Sequence, residues 1–217
     1  MAAKTCKPTK ASPYFDSAAG KPYSELGMRL TMLLPSEPLE LGRALVDRGV
    51  RADGSWPDGA AYLLQTSDPA RNSRAIHFPP TATLTSPRLR IQRLRAEEIR
   101  GRSDVMFYFT VAVHVGGLET LGFPPGAIAD HLTSSGGDLF GTAQMSSLRW
   151  LEAGATATYG TVSEPCNHPQ KFPSPAILMK HYLAGATAIE AYWKSVAWPA
   201  QGLFIGEPLA SPYRRTQ

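Results

Sequence analysis

The chain has little cysteine, and none of it lies in a paired motif. Cys6 and Cys166 are the only two cysteines among its 217 residues, and no CxxC spacing occurs. Structural zinc sites take their ligands from Cys and His residues at short, regular spacings, so the sequence argues against such a site. The two thiols either stay free or form one disulfide, depending on the redox compartment of the protein.

Long apolar runs and nucleotide-binding loops are also lacking. No run approaches the roughly 20 apolar residues that span a bilayer, and no P-loop or GxGxxG motif follows a predicted strand. We therefore expect no membrane association and no cofactor. Residues 1–10 carry three lysines without a hydrophobic core behind them, which is not the pattern of a signal peptide. We expect a longer gene product, secreted or periplasmic, from which an export signal is missing here.

Charged residues are few, and much of the excess positive charge lies in one segment. Only 18% of residues are charged, and the net charge is +4. A basic cluster can bind nucleic acid, but Glu97 and Glu98 lie within this one and no nucleic-acid motif accompanies it. A solvated strand and helix surface is the simpler interpretation, so we predict no nucleic-acid partner. The cluster consists of Arg88, Arg90, Arg93, Arg95, Arg100 and Arg102.

Hydrophobic patterning predicts a single α/β domain with a mostly parallel sheet. Short apolar runs rich in β-branched and aromatic residues alternate with segments of helical spacing, and this alternation is typical of parallel strands joined by helical crossovers. Residues 1–26 are predicted to be an extended N-terminal arm, and 27–217 the domain. The predicted strands are 28–34, 60–66, 89–91, 105–113, 127–132, 155–162 and 203–205; the predicted helices are 37–48, 144–152, 174–183 and 187–196, with a short one from 68 to 74.

Side chains that could carry chemistry concentrate in three loops, 113–121, 130–140 and 163–172. Each follows a predicted strand, and sites in open parallel sheets form beyond the carboxyl ends of the strands. The candidate catalytic residues are His114 in the first loop, His131 and Ser134 in the second, and Glu164 and Cys166 in the third.

Each loop also has a simpler interpretation. His114 can be an ordinary loop residue. The Ser-Ser-Gly-Gly run at 134–137 is typical of a tight turn, although it could form a backbone nest for an anion. Asp130 and His131 should point to opposite faces of their strand and so cannot simply pair. The third loop is compatible with a structural role, with a Cys6–Cys166 disulfide, or with a metal held by His131, Cys166 and His168.

Several long segments resemble an uncharacterised bacterial family that is remotely related to caspase-like, gingipain-type cysteine peptidases. Those segments are FYFTVAVHVGG (107–117), PGAIADHLTSSGGDL (125–139), QMSSLRWLEAGATATYGTVSEPCNHPQKFP (144–173), GATAIEAYWKSVAWP (185–199) and GLFIGEPLASP (202–212). The resemblance to the uncharacterised family covers most of the chain, from about Lys4 onward. The more remote link to the peptidases covers roughly 104–212.

This resemblance implies a caspase-like, three-layer sandwich: a mainly parallel sheet with helices on both faces. In the peptidases a His follows one central strand and the catalytic Cys follows the next. His114 stands at the first place, but Ser134 or Ser135 stands where the peptidases carry Cys. Related secreted members also imply export.

Three functions remain open from these observations. The first is a peptidase-like hydrolase in which His114 or His131 is the base, Cys166 or Ser134 the nucleophile, and Glu164 an orienting group. The second is a non-catalytic module of the same fold that binds a peptide or protein. The third is metal binding through the third loop. The sequence carries no information on the oligomeric state.

Overall fold

A six-stranded, mostly parallel sheet forms the centre of the molecule. The computed structural model describes residues 3–4, 7–80, 88–164 and 167–215. Its strands are β1 (Ala3–Lys4), β2 (Gly59–Gln65), β3 (Leu89–Arg95), β4 (Val105–Thr110), β5 (Ile128–His131), β6 (Ala157–Thr161), β7 (Ser163–Glu164) and β8 (Gly202–Gly206). Its α-helices are α1 (Pro22–Leu26), α2 (Leu39–Ala52), α3 (Leu148–Ala153), α4 (Pro175–Leu183) and α5 (Ala188–Ser195). Short 3-10 helices cover Asn72–His77, Leu118–Thr120, Pro169–Lys171 and Pro199–Gln201.

The strand order of the sheet is β3-β2-β4-β5-β6-β8. All neighbours are parallel except β6 and β8, which run antiparallel. The carboxyl ends of β2, β4, β5 and β6 therefore lie along one edge of the sheet. The two central strands β4 and β5 are buried throughout, because both of their faces are covered.

Helices cover both faces of the sheet, which confirms the predicted α/β sandwich architecture. On one face Phe107 and Ile128 pack in a core with Met179 of α4 and Tyr192 of α5. On the other face Tyr108 and Ala129 pack with Trp150 of α3. Successive residues of β4 and β5 thus serve opposite cores, as the period of two in a strand requires.

The prediction of a first strand at 28–34 is wrong. Only Leu33 forms a bridge there, to Ile205 of β8. Its N–H donates to the Phe204 carbonyl oxygen at 2.9 Å, and its own carbonyl oxygen accepts from Gly206 N–H at 2.8 Å. Leu33 and Leu34 stay 45% and 39% exposed. The apolar run therefore lies along the outer edge of the sheet and pairs with β8 only at Leu33, so it forms no ladder.

The N-terminal segment up to α1 packs against α4 and α5. Tyr14 is fully buried, and the Lys194 ammonium of α5 lies 4.1 Å from the centre of its ring. The same ammonium donates to the carbonyl oxygens of Ser17 at 2.5 Å and Ala19 at 2.8 Å. Among the described residues, no helix is long and apolar enough to span a bilayer.

Candidate functional site

Three loops meet around a cavity of about 270 Å³ at the carboxyl edge of the sheet. They are the segments that follow β2, β5 and β6. The floor is apolar, with Leu132 and Phe172 buried there, and these two pack together with Val111. Its lining residues are Asp68, Ala70, Arg71, Leu132, Thr133, Ser134, Asn167 and Phe172.

Charges on the rim of this cavity largely cancel. Arg71 Nε lies 3.1 Å from Asp68 Oδ2, and both side chains are nearly half exposed. The Asn167 side chain ties the third loop to the segment that follows β2: its Nδ2 donates to the Ala70 carbonyl oxygen at 2.8 Å, while its Oδ1 accepts from Ser73 Oγ at 2.9 Å. The cavity thus has an apolar floor and a polar rim of low net charge.

The turn that carries Ser134 is held tightly against β6. A Cβ atom on Gly137 would lie 2.5 Å from the Gly160 carbonyl oxygen, so only glycine allows this approach. Gly137 N–H donates to the Thr161 carbonyl oxygen at 2.9 Å, and Ser135 N–H donates to Gln144 Oε1 at 2.8 Å. Because these amides are already engaged, the geometry favours the tight turn over an anion nest.

Ser134 is half-buried at the cavity wall. Among the described residues, none forms a hydrogen bond with its hydroxyl group, and in particular no histidine does. A serine nucleophile needs a base within hydrogen-bond reach of its oxygen. The structure therefore brings Ser134 to the cavity without bringing a base to it.

His131 lies on the opposite face of β5, and both of its ring nitrogens are occupied. Trp150 Nε1 donates to His131 Nδ1 at 2.9 Å, so the proton resides on Nε2, which donates to the Met145 carbonyl oxygen at 2.9 Å. Burial lowers the pKa of His131 to about 4, with Arg74 and His114 adding to the shift. This neutral, fully engaged imidazole supports the packing of Trp150 and has no free nitrogen for a substrate.

Asp130 pairs with Arg74 in the interior, on the other face of the same strand. Arg74 Nη1 contacts Asp130 Oδ1, and both side chains are essentially buried. Arg74 Nη2 donates to the Thr110 carbonyl oxygen at 2.7 Å. Burial raises the pKa of the Asp130 carboxyl group, while the guanidinium opposes that shift. The prediction that Asp130 and His131 do not pair is confirmed.

His114 is exposed beyond the carboxyl end of β4 and is not part of the cavity lining. Its loop is joined to the segment between the second loop and α3 through Met145, whose N–H donates to the Val113 carbonyl oxygen at 3.2 Å. His114 is thus the candidate histidine whose ring is accessible from solvent at this edge of the sheet. It follows β4, the strand that neighbours β5, which precedes Ser134.

Part of the third candidate loop lies outside the described residues. Cys166 is among the residues that the structure does not describe. The backbone of Glu164 is described and forms the end of β7. His168 packs against Trp198 with ring centres 5.5 Å apart. Among the described side chains, no group of three or more metal-ligating residues comes together. The metal hypothesis would also need a free ring nitrogen on His131, but both of its ring nitrogens are already hydrogen-bonded.

Sequence reasoning missed the segment after β2, which supplies three of the cavity residues. The three residues are Asp68, Ala70 and Arg71. The sequence of this segment predicts only the beginning of a helix, because Asp-Pro commonly starts one. Its closeness to Ser134 follows from the pairing of β2 with β4 and of β4 with β5. A local pattern cannot reveal that order.

Known proteins were compared with the chain. No family model, curated protein or solved structure matches it. The chemistry of the site therefore has to be argued from its own geometry.

The arrangement is suited to holding a side chain rather than to activating a water molecule or a phosphate group. The apolar floor favours an uncharged group, and the rim offers hydrogen bonds from Asn167 and Ser134. In the sequence Cys166, which lies outside the described residues, directly precedes Asn167.

Proposed function

We propose that this chain is a caspase-like domain that binds a peptide segment at the carboxyl edge of its sheet. The cavity between the loops after β2, β5 and β6 carries the proposal. Its apolar floor and charge-neutral rim suit an uncharged side chain of an extended peptide. The mostly parallel sheet with helices on both faces and the sequence resemblance support the caspase-like assignment.

A non-catalytic binding role is favoured over serine-based hydrolysis. The Ser134 hydroxyl has no base beside it among the described residues, and His131 has neither a free nitrogen nor access to solvent. Removing a proton from a serine hydroxyl at neutral pH requires such a base.

The test is binding of a positional-scanning mixture of fluorescein-labelled hexapeptides, followed by anisotropy. Ser134→Phe should fill the cavity and weaken binding of the selected peptides at least tenfold. Ser103→Phe is the matched control, because Ser103 is also a surface serine but lies just before the amino end of β4, at the opposite edge of the sheet. Equal binding by the two variants, or no peptide selected by the unaltered protein, would refute the proposal.

A thiol peptidase using Cys166 and His114 is the second candidate. It is favoured by the attachment of Cys166 to Asn167 at the cavity rim and by the exposure of His114 at the next strand end. A catalytic thiol has a depressed pKa because an imidazolium stabilises its thiolate. Its test is pH-dependent alkylation with iodoacetamide and peptide mass mapping.

Under this second candidate, Cys166 alkylates quickly well below the free-thiol pKa of about 8.5, and His114→Ala slows the reaction. The selected hexapeptides are also cleaved, as mass spectrometry would show. Slow alkylation that is unchanged in His114→Ala, with intact peptides, eliminates the peptidase and leaves the binding module.

A further inference from the structure

An extended strand from the N-terminal segment lies beside the third loop of the site. Ala3 pairs with Ser163 and Lys4 with Glu164, so β1 and β7 form a small parallel sheet. Among the described residues, β7 pairs with no strand other than β1. Its hydrogen-bonding edge is therefore covered by a segment of the same chain and by nothing else that the structure describes.

Hydrogen bonds with Lys171 and Gln201 hold β7 in place for this contact. Lys171, which is buried, donates from its Nζ to the Ser163 carbonyl oxygen at 2.8 Å. Ser163 Oγ donates to Gln201 Oε1 at 2.8 Å, and the Gln201 side-chain amide reaches the Lys7 carbonyl oxygen at 3.4 Å. A fixed strand edge loses little entropy when a peptide pairs with it.

This edge is close to the cavity in sequence and in space. Asn167, which lines the cavity, follows Glu164 by three residues. β7 itself continues from β6, whose Thr161 Oγ1 donates to the Thr133 carbonyl oxygen at 2.6 Å. A peptide paired with β7 would thus run beside the loop that carries Ser134.

The arm behind β1 keeps it near this edge. Tyr14 and the carbonyl oxygens of Ser17 and Ala19 hold Lys194 of α5, and Ser12 N–H donates to the Ala197 carbonyl oxygen at 2.8 Å. A strand tethered by a short linker has an effective concentration in the millimolar range. A free peptide that pairs with β7 must compete with it.

We propose that the edge of β7 is a docking edge for an extended peptide, and that residues 3–4 occupy it as an intramolecular competitor. Main-chain hydrogen bonds supply the affinity in this mode of recognition, as in β-strand addition generally. The N-terminal segment then limits access of other peptides to the edge beside the cavity. That last step rests on the proposed peptide-binding function, whereas the docking edge itself does not.

The test compares the full chain with a variant that lacks residues 1–6 but keeps the arm. The probe is a fluorescein-labelled peptide of residues 1–8 in which serine replaces Cys6, used under reducing conditions. We expect it to bind the truncated protein at least tenfold more tightly than the full chain. The same peptide with prolines at positions 3 and 4 should not bind, because proline cannot donate to a strand pair.

Hydrogen exchange gives a second measurement. Amides of β7, at Ser163 and Glu164, should exchange faster after truncation and slow again when the peptide is added, whereas those of β6 should not change because β6 pairs with β8. If truncation disturbs folding by circular dichroism, Lys4→Pro in the full chain replaces it, with Lys10→Pro as the control outside β1. Equal peptide binding by full and altered chains, no binding by either, or unchanged exchange at Ser163 and Glu164 would overturn the inference.

The two proposals fail separately. The peptide of residues 1–8 needs only the edge of β7, so its binding should survive Ser134→Phe. Selected hexapeptides that lose affinity in Ser134→Phe but bind the full and truncated chains equally would support the cavity and refute the competing strand.

Discussion

Two adjacent residues of β5 serve opposite faces of the sheet with different chemistry. Asp130 is buried and paired with Arg74. His131 is neutral, buried and hydrogen-bonded to Trp150 and to the Met145 carbonyl oxygen. Both occupy the last positions of a strand, where catalytic residues are often found. Here their polar atoms are turned inward and hold the loops in place.

His131 should make stability depend on acidity. Its folded pKa of about 4 lies below the ordinary value of 6.5, so the unfolded chain binds the proton more tightly. The contribution is complete above pH 6.5 and is lost as the pH falls toward 4, on the order of 3 kcal/mol in total. Urea unfolding of His131→Gln should show a flatter stability profile over this interval than the unaltered protein.

The Arg74–Asp130 pair should matter mainly when it is broken on one side. Asp130→Asn leaves a buried guanidinium uncompensated, and we expect a loss of about 3–5 kcal/mol in the free energy of unfolding. Arg74→Met combined with Asp130→Leu should cost much less than the sum of the single changes. Arg74 Nε and Asp130 Oδ2 have no hydrogen-bond partner within the part of the chain that the structure describes, which limits what the pair contributes.

A double-mutant cycle in urea measures this coupling. The exposed Arg71–Asp68 pair is the control, and Asp68→Asn should cost under about 1 kcal/mol. Additive losses for Arg74 and Asp130 would show that the two charges act independently, contrary to the geometry.

At the level of elements, local patterns found most strands because each carries its own signal. The run VMFYFT is buried on both faces and forms β4, and Thr187 with Glu190 forms the capping box of α5. The run MRLTMLL has the same apolar character but lies on an exposed edge. The difference comes from neighbours distant in sequence, and so does the closeness of Asp68 to Ser134.

The candidate site also has one part that the sequence predicts and one part that depends on residues distant in sequence. The three loops were predicted from the rule that parallel sheets bind ligands beyond their carboxyl ends. Two of the three contribute to the cavity, through Ser134 and Asn167. The roles of the histidines could not be predicted, because they depend on whether each ring faces Trp150 in the core or solvent.

The register of β1 on β7 leads to a prediction about the cysteines. Cys6 and Cys166 lie outside the described residues, but in the sequence each follows the Lys4–Glu164 pair by two positions. Paired strands advance by nearly the same distance per residue. We therefore predict that glutathione disulfide oxidises the two thiols to one intramolecular disulfide and is itself reduced to two glutathione thiols.

Non-reducing peptide mapping should find the linked peptides. The oxidised chain should exceed Cys6→Ser in stability by roughly 2–5 kcal/mol, because the bond closes a long loop. Two thiols that stay unlinked, or that form mixed disulfides with glutathione only, would contradict the prediction. The bond would also consume the thiol that a peptidase requires.

At the scale of the whole molecule, both cores depend on the same two strands. Phe107 and Ile128 belong to the core beneath α4 and α5, while Tyr108 and Ala129 belong to the core beneath α3. Loss of β4 or β5 would expose both cores at once. We therefore predict that residues 27–217 unfold as one cooperative unit.

Hydrogen exchange at increasing urea concentrations measures this directly. Amides of α3 and of α5 should reach the same opening free energy with the same dependence on urea. Both helices pack on the same sheet, so the most protected amides in each exchange only when that sheet unfolds. The N-terminal arm should open at a lower free energy, because α4, α5, the segment after them and a two-residue pairing with β7 hold it to the domain. Different urea dependences for α3 and α5 would mean that each layer unfolds by itself. The chain would then contain two folding units that share one sheet. The cavity at the carboxyl edge of that sheet would open together with the unit that includes the segment after β2.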